Sequence, residues 1–537
     1  MLKKVLLICD VPATAAGTTL DHIEALSKYS QYEVFTLEAG QKNNGGLPDT
    51  IDLNRFDALI IHFSMVISHD SYLSPEARKK IRDYNGLKAI FIQDDYRWIN
   101  DTVNALDYLE AHILFPLTES GIMNQIYDPI RLPKLEKQTV LTGYVPENLL
   151  NKETHDFADR VIDVGYRARK LPAWIGSHAL QKWQIAEKFI ADAKKTKLKL
   201  DISLDEKDRI YQTDWVNFIS SCKATLGTES GASLCDFTGD IQRKVEEHER
   251  KYPGTDFNTQ KNLYFPNDDC KIMMNVISPR VFEAAALKTL MIMYDGYYSG
   301  VLEAGIHYVS LEKDHSNFNE VLETLENPKK ATEIIQNAHR EIALNEKYSF
   351  KGMVSLVDKK ITKRWSTEEH ALASNPMTKD EFEQLLQQEA EPALKITEEV
   401  NQTGKVARVL QLEEYNKFSE SEDLEQHNSL KLYLLPHRLW QMCRRPRKHP
   451  RLLLVNSKSN SKPYVFLRKI WRFIPSGLRL MLANSVVNPA LNAQGTERAD
   501  NSSAAEDYTP LEDSDVKIIK SVLIALLAAT IALLLFI

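Results

Sequence analysis

Residues 277–305 read ISPRVFEAAALKTLMIMYDGYYSGVLEAG, a helix-to-strand pattern that decides the fold. Ser278 and Pro279 are typical of a helix start, because a serine side chain can cap a helix whose first position is proline. The apolar run TLMIMY that follows predicts a buried strand ending in the polar loop DGYYSG. Arg280 and Glu283 are therefore expected near a helix N-terminus, at a strand-end crevice where anionic ligands are held.

Similar apolar runs alternate with helical patterns on the N-terminal side of this stretch. The first series is KVLLIC, EVFTL, ALIIHF, KAIFI and HILFP, and the second is RVIDVGYRA, LKLDISL, KATLGTES, TLMIMYDG and HYVSL. Such alternation predicts an α/β fold with parallel sheets covered by helices on both faces. We expect two Rossmann-like domains, at residues 1–152 and 155–365. The polar stretch 236–271 interrupts the second series and predicts an insertion at the strand ends.

The composition excludes several classes of protein. Hydrophobic residues make up 43% of the chain and charged residues 26%, which is typical of a folded soluble domain rather than of general disorder. The five cysteines form no CxxC pair and no Cys/His cluster. A disulfide framework and a structural zinc site are therefore not expected, and a reducing compartment is favoured.

The sequence changes character after residue 365. An acidic helical linker is predicted at 366–430, and a flexible linker of small polar residues at 481–515. Between them, residues 431–480 hold thirteen Lys and Arg and no Asp or Glu, although the whole chain has a net charge of -7. Bulky apolar residues alternate with these cations, a pattern suited to the headgroups of anionic membrane lipid. Nucleic acid and a plain solvated charge run are the alternatives, and nucleic acid is not the expected partner.

The stretch 516–537, VKIIKSVLIALLAATIALLLFI, has no charge after Lys520. As a helix it would span roughly 33 Å, close to the hydrocarbon thickness of about 30 Å. We expect one C-terminal transmembrane helix, with a buried core helix as the alternative. Because Lys517 and Lys520 flank its N-terminal side, the positive-inside rule predicts a single-pass anchor in the cytoplasmic membrane and globular domains in the cytosol.

The stretch 277–305 resembles the donor-binding segment of GT-B glycosyltransferases, of the spore-maturation-like or group 1 type. In that segment a helix that starts with Glu and small residues leads to a strand, a Gly-containing loop and another Glu. Here the R-x-F-E core is Arg280, Phe282 and Glu283. The resemblance is specific over about 163–311 and generic over the first domain. It implies a nucleotide-sugar donor, bound as a substrate, with no cofactor and no metal.

The resemblance assigns Glu283 to the ribose hydroxyls of the donor. Ser299, Gly300 and Glu303 would form the glycine-and-glutamate donor loop, where Gly300 allows close backbone approach to phosphate or sugar. An interaction of Glu283 with its own helix dipole, and an ordinary turn at Gly300, are the alternatives.

A second donor loop is expected after the first strand of the second domain. Gly165 and Arg167 match the family's loop against the donor pyrophosphate, since the planar guanidinium pairs bidentately with phosphate oxygens. Lys170 is a further candidate in the same loop. A solvent-exposed loop arginine is the alternative.

Another group of candidates ends the next strand. Glu229, Ser230 and Gly231 would face the crevice, where the carboxylate can hold sugar hydroxyls or simply support a turn. Retaining members of the family commonly carry two glutamates eight positions apart, but Asn275 stands eight positions before Glu283. The amide can hydrogen-bond the sugar but lacks the charge, which leaves the stereochemical outcome open.

Two residues of the first domain are candidates for a general base. His62 and Asp95 follow predicted strands, so either can face the crevice and accept the proton of an acceptor hydroxyl if the enzyme inverts. A structural histidine at a strand end is the alternative.

Together these features predict transfer of a sugar from a nucleoside-diphosphate donor to a cell-surface glycan or a lipid-linked acceptor at the cytosolic membrane face. A nucleotide-sugar epimerase shares this architecture and is one alternative. A catalytically inactive, membrane-tethered scaffold is the other, because Asn275 replaces a charged residue.

Overall fold

The computed structural model describes residues 3–11, 17–367 and 370–389. Two parallel sheets with helices on their faces make up this part of the chain. The strands are β1 Lys4–Cys9, β2 Glu33–Glu38, β3 Ala58–Ile61, β4 Leu87–Phe91, β5 Ile113–Phe115, β6 Glu136–Lys137, β7 Ile162–Arg167, β8 Leu200–Ser203, β9 Cys222–Gly227, β10 Ser230–Ala232, β11 Met274–Val276, β12 Leu290–Tyr294 and β13 Val309–Leu311.

The α-helices are mostly short and lie between these strands. They are α1 Gly17–Tyr29, α2 Pro75–Asp83, α3 Ile99–Tyr108, α4 Ser120–Ile126, α5 Glu147–Leu150, α6 Gln181–Ala193, α7 Gln212–Ser221, α8 Asp240–Lys251, α9 Phe257–Tyr264, α10 Pro279–Ala286, α11 Phe318–Glu326, α12 Pro328–Ala338 and α13 Phe350–Thr367. The helix α12 begins at Pro328, and Asn327 caps it by accepting a hydrogen bond from the Lys330 amide.

The first sheet has the strand order β2-β1-β3-β4-β5-β6, with every pair parallel. Its central strands are apolar along their whole length because both faces are covered: residues 5–9 and 58–61 are all buried. The second sheet has the order β13-β12-β9-β7-β8 and is also parallel throughout. The α/β fold with two parallel sheets is thus confirmed, and each of the ten predicted apolar runs contains a strand.

A small antiparallel ribbon of β10 and β11 follows the second sheet's central strand. The polar stretch predicted as an insertion folds as the helical hairpin α8–α9, between the two ribbon strands. The segment that leads into this hairpin contacts the first domain. The amide of Asn100, in α3, donates to the Phe237 carbonyl at 2.9 Å, and the Asp236 amide donates to the Tyr96 carbonyl at 2.9 Å.

The residues that form α13 were predicted to close the second domain, which was expected to end at residue 365, but the helix packs on the first domain. The apolar face of α13, which includes Met353, Val357 and Ile361, packs into the core of the first sheet rather than the second. Its Asp358 carboxylate accepts hydrogen bonds from the Ser30 hydroxyl at 3.0 Å and the Gln31 amide at 2.7 Å. The chain therefore returns to the first domain at residue 350, because this helix is amphipathic and the first sheet offers it an apolar surface.

Residues 370–389 also belong to the first domain, although they were predicted to be part of a linker. Met377 and Phe382 are buried in the core on the other face of the first sheet, and the Phe382 ring lies 5.3 Å from that of Phe35. The rest of that linker and the segments 431–480, 481–515 and 516–537 lie outside the described residues. Within the described ranges, no helix has the length and apolar character needed to span a bilayer.

Candidate functional site

Two cations of the second domain lie on either side of Tyr166. Its hydroxyl donates to the Lys182 carbonyl at 3.0 Å, and its ring centre is 6.0 Å from the Arg280 guanidinium carbon. Arg280 is the second residue of α10, whereas Lys182 lies about one turn inside a continuous helical stretch, because the 3-10 turn Ser177–Leu180 runs directly into α6. A positive side chain at a helix N-terminus is disfavoured by about 0.3–1 kcal/mol, so a bound anion would relieve Arg280.

The charges around Lys182 repel one another in the folded chain. Burial of the ammonium, reinforced by the charges of Arg280 and Arg169, lowers the pKa of Lys182 to about 8. Asp94, on the loop after β4 of the first domain, acts in the opposite direction. The cluster of Lys182, Arg280 and Arg169, which we call the cation cluster, therefore faces the first domain and favours an anion between them.

Arg280 is held in place by its surroundings. Its guanidinium carbon lies 4.7 Å from the centre of the Trp215 ring, and Nη1 donates to the Arg167 carbonyl. The predicted cap is wrong, because the Ser278 side chain makes no hydrogen bond to the helix. The start of α10 relies instead on Pro279, which packs against Gly143 of the first domain so closely that a Cβ at Gly143 would lie 2.8 Å from the proline Cβ.

Glu283 lies one turn further along α10. Its Oε2 accepts a hydrogen bond from the Trp215 indole at 2.7 Å. Burial raises the pKa of Glu283, while that hydrogen bond and Arg280 oppose the shift. On the first domain, burial and the charge of Glu283 raise the pKa of Asp21, in α1, to about 6. Asp21 of the first domain is thus within electrostatic reach of Glu283 in the second.

Glu229 holds the loop that follows β12. Its Oε1 accepts hydrogen bonds from the amides of Tyr297, at 3.1 Å, and Tyr298, at 2.9 Å. Its Oε2 accepts from the Asn275 amide group at 2.9 Å, across the β10–β11 ribbon. Burial raises the pKa of Glu229, and these hydrogen bonds oppose the shift. Glu229 thus supplies a carboxylate beside Asn275, whose own position lacks one.

The clamped loop contains three consecutive residues in the left-handed region. The φ angles of Tyr298, Ser299 and Gly300 are 48°, 54° and 65°. Such a conformation costs a non-glycine residue roughly 1–2 kcal/mol, and it persists only where neighbours enforce it. Besides Glu229, the Ser299 hydroxyl contributes by accepting the Ile277 amide at 3.1 Å. The loop is therefore pre-shaped at the rim of the crevice, with Tyr297 57% exposed.

Gly165 and Arg167 lie inside β7 and not in a loop after it, which corrects their predicted placement. A Cβ at Gly165 would lie 2.2 Å from the Cys222 sulfur, so this glycine serves strand packing. The Arg167 guanidinium donates to the Asp208 carbonyl at 3.1 Å, and to the Asp201 carbonyl at 2.8 Å and carboxylate at 2.7 Å. The hydrogen-bond donors of Arg167 are thus used by residues 201 and 208, at the edge of the second sheet. Its contact with pyrophosphate stays a prediction.

The other predicted donor residues are spread around the crevice. Lys170 pairs with Glu187 at 3.0 Å, with both side chains largely exposed. Ser230 and Gly231 belong to β10, where Gly231 has φ 97° and a Cβ would lie 1.7 Å from the Met274 carbonyl oxygen, so that only glycine fits. Glu303 is exposed. The structure brings together Glu229, Asn275 and the turn at 298–300. Arg280 and Glu283 lie on α10, which comes shortly after Asn275 in the chain.

His62 and Asp95 are both buried within the first domain. The Asp95 carboxylate accepts the amides of Leu117, at 2.8 Å, and Thr118, at 3.1 Å, and also the Tyr127 hydroxyl. Burial raises the pKa of Asp95 to about 7 despite these bonds. His62 is fully buried and bonds through Nε2 to His22 Nδ1 at 3.1 Å. Both side chains have structural partners here, and a role as general base stays a prediction.

The buried pair of His22 and His62 makes stability depend on pH. Burial lowers the pKa of His22 to about 3, so below pH 6.5 the unfolded chain binds a proton that the folded chain does not. Stability should therefore fall as pH falls from about 6.5 towards 3. We expect His22→Gln to flatten the dependence of unfolding free energy on pH near pH 5.5 by about 1 kcal/mol per pH unit.

Urea titrations between pH 5 and pH 7.5 measure this slope. His155→Gln is the matched control, because the His155 side chain is exposed and is solvated in both states. Equal slopes for wild type and His22→Gln would show that His22 does not contribute.

Several residues of this site were missed by the sequence analysis. These are Lys182, Arg169, Trp215 and Asp21. Arg169 lies between Arg167 and Lys170 in the predicted donor loop but was not singled out, and the other three belong to no local motif. The fold and site define an α/β protein whose second domain carries a cluster of cations at a crevice. Among the described residues, no group of three or more His, Cys, Asp or Glu is arranged to hold a metal ion.

No protein-family model matches the chain, and no curated protein is similar enough to match it. Among solved structures, Anabaena Alr3699/HepE in complex with UDP-glucose is 10% identical with a TM-score of 0.39, over 68% of this chain and 100% of that one. An alpha-glucosyltransferase in complex with UDP and a 13-mer DNA is 10% identical with a TM-score of 0.42, over 68% and 100%. T4 phage BGT in complex with UDP and Mn2+ is 13% identical with a TM-score of 0.39, over 67% and 99%. At this distance the similarities carry no argument, and the functional conclusion rests on the geometry of this chain.

Proposed function

We propose that this chain is a glycosyltransferase of the GT-B type that takes its sugar from a nucleoside-diphosphate donor. The observation that carries the proposal is the cation cluster, because Lys182 and Arg280 flank Tyr166, Arg280 begins α10, and a bound anion would offset the mutual repulsion of these charges. A diphosphate supplies that anion. Glu283, on the same helix as Arg280, would accept hydrogen bonds from ribose hydroxyls beside the diphosphate.

The chemistry follows from these positions. The acceptor hydroxyl oxygen forms a bond to the anomeric carbon, and the bond from that carbon to the diphosphate oxygen breaks. The cation cluster stabilises the negative charge that develops on the departing diphosphate. Electrostatic stabilisation of this kind is usually the largest contribution to lowering the activation barrier. Asp21 lies on the first domain and, with a pKa raised to about 6, is suited to take the acceptor's proton near neutral pH.

The acceptor and the location are parts of the proposal that rest on the sequence. A basic segment at 431–480 and an uncharged stretch from residue 521 to 537 would hold the enzyme at the cytosolic face of a membrane. A lipid-linked acceptor or a cell-surface glycan precursor is available at that face. The GT-B subtype and the stereochemical outcome stay proposals of the same kind.

Calorimetric titration with a panel of nucleosides, nucleoside diphosphates and their sugars tests the proposed function. The panel starts with UDP and UDP-glucose, since solved structures above contain them. We expect one diphosphate series to bind, and its sugar to be transferred or slowly hydrolysed. Failure of every nucleotide to bind would reject the donor site, and binding without turnover would favour a scaffold.

Glu283→Gln is expected to weaken donor binding by about one to two orders of magnitude. The change preserves shape but removes the charge that strengthens hydrogen bonds to ribose hydroxyls, each worth roughly 1.5–3 kcal/mol. Stability should change little, because glutamine can still accept the Trp215 indole hydrogen bond. Affinity for the diphosphate and thermal stability are measured together.

Glu320→Gln is the control for this substitution. Glu320 is an exposed glutamate in the first turn of α11, so its replacement removes only an interaction with a helix dipole. If Glu283→Gln bound the donor as tightly as wild type and matched Glu320→Gln in stability, the role of Glu283 at the ribose would be rejected.

A further inference from the structure

The outer face of α13 carries a row of lysines that the proposed reaction does not use. Lys359, Lys360 and Lys363 follow Ser355 and Leu356 at helical spacing, on the side opposite the face that packs into the first sheet. With Lys347, from the preceding turn, these residues line a groove of about 580 Å³. We call this surface the lysine face.

The acidic groups near the lysine face compensate only part of its charge. Glu136 pairs with Lys360 and with Arg364, and Glu346 pairs with Lys351 at 3.4 Å. Lys347, Lys359 and Lys363 are exposed, and neither carboxylate forms an ion pair with them in the described part of the chain. Three cations therefore face solvent around the partly exposed Leu356.

We propose that the lysine face binds the surface of an anionic phospholipid membrane. Exposed lysines around an apolar side chain match a bilayer interface, where the ammonium groups meet phosphates and a leucine can enter the headgroup region. The continuation of the chain supports this occupant. Residues 431–480 carry thirteen further cations, and residues 521–537 are uncharged. If these segments bind a membrane, they would keep the lysine face close to the same membrane surface.

This contact would also orient the crevice. Since α13 packs on the first sheet, membrane binding fixes the first domain, which carries Asp21. Because the segment that leads into the α8–α9 hairpin and the start of α10 both contact the first domain, the donor site is held in the same orientation. The inference goes beyond glycosyl transfer and holds whether or not the chain transfers sugar.

A vesicle flotation assay with residues 1–391 tests the proposal without the C-terminal segments. Met1–Glu391 is one compact unit that contains all five described hydrophobic clusters, so it is expected to fold on its own. It should bind vesicles of equal parts phosphatidylcholine and phosphatidylglycerol, and not vesicles of phosphatidylcholine alone. The variant Lys347→Ala, Lys359→Ala, Lys363→Ala should bind at least about tenfold more weakly, since each lysine near an anionic surface contributes severalfold.

The matched control removes the same charge elsewhere. Lys194, Lys195 and Lys197 are exposed near the end of α6, and their triple alanine variant should bind as wild type does. If both triple variants lost vesicle binding equally, net charge rather than the lysine face would explain the binding, and the proposal would be overturned. Unchanged binding by the lysine-face variant would do the same.

A second measurement uses the full chain and stays decisive if residues 1–391 fail to fold. The full chain is placed in nanodiscs with or without phosphatidylglycerol, and acetylation rates of Lys359 and Lys363 are compared with that of Lys194. We expect selective protection of the two lysines in the anionic nanodiscs. Equal rates in both lipids would contradict the proposal. Protection already present in neutral nanodiscs would show that another segment, such as the acidic stretch 419–425 of this chain, covers the face instead.

Discussion

Arg280→Ala is expected to weaken the binding of a nucleoside diphosphate by about ten- to a hundredfold, while the corresponding nucleoside binds as before. Arg280 is the second residue of α10 and belongs to the same cation cluster as Lys182. Loss of its guanidinium removes charge-assisted hydrogen bonds to phosphate worth roughly 1.5–3 kcal/mol. The ratio of nucleoside to diphosphate affinity is the informative quantity, because a general disturbance of the site would weaken both ligands. Calorimetry at constant salt measures it.

Arg209→Ala is the matched control for this prediction. Arg209 is also exposed and lies over an aromatic ring, with its guanidinium carbon 4.9 Å from the centre of Tyr211, but it is outside the cation cluster. Its loss should leave both affinities unchanged. Equal diphosphate binding by wild type and Arg280→Ala would show that the cation cluster does not form the diphosphate site.

The second large effect is expected at Glu229, where alanine and glutamine should behave very differently. Glu229→Ala leaves the amides of Tyr297 and Tyr298 without their acceptor, together with the side-chain amide of Asn275. Each unsatisfied group costs about 1–3 kcal/mol, so the free energy of unfolding should fall by about 3 kcal/mol or more. Without the clamp, the left-handed turn at 298–300 should relax and donor binding should be lost.

Glu229→Gln should be mild for a specific reason. Glutamine keeps an oxygen for the two loop amides, but its NH2 group then faces the NH2 group of Asn275. The Asn275 Oδ1 is buried and has no hydrogen-bond partner among the described residues, so a flip of that amide presents an acceptor to the new NH2. We expect a stability loss below about 1 kcal/mol. Urea unfolding and hydrogen exchange of the amides at 297 and 298 measure both variants, and equal losses in alanine and glutamine variants would contradict the clamp.

The sequence anticipated part of this site because that part is local. Arg280, Glu283 and the turn at Ser299 and Gly300 lie within one helix–strand–loop unit, and local propensities place each of them near a strand end. Glu229 was recognised as a crevice residue, but its three hydrogen bonds to residues 46 to 69 positions away were not visible in any pattern.

His62 and Asp95 illustrate the opposite case. A position after a strand suggested that each side chain reaches the crevice, yet each is buried with partners from other elements. Strand ends locate the backbone, but the direction of a side chain depends on what packs beside it. Asp21, in contrast, carries no motif, and the effect of Glu283 on its pKa depends on how the two domains pack.

The sequence by itself determined the class of fold and its strand inventory. Apolar runs of the right length alternating with amphipathic helices can bury their surface only as covered parallel sheets, which is why all ten runs were found as strands. The three strands that it missed, β6, β10 and β11, are two or three residues long and too short to show a period.

Only the tertiary structure decided where α13 packs, which cations share the crevice and which carboxylate clamps the donor loop. The sequence of an amphipathic helix shows that it needs an apolar partner but does not identify that partner. Residues 350–367 therefore pack on the first sheet because an apolar surface is open there. Likewise, Lys182 and Arg280 are 98 positions apart and come to lie on either side of Tyr166 only when the second domain has packed. Charge and hydrogen-bond partners depend on distances in space, and those are fixed only when the sheets have packed.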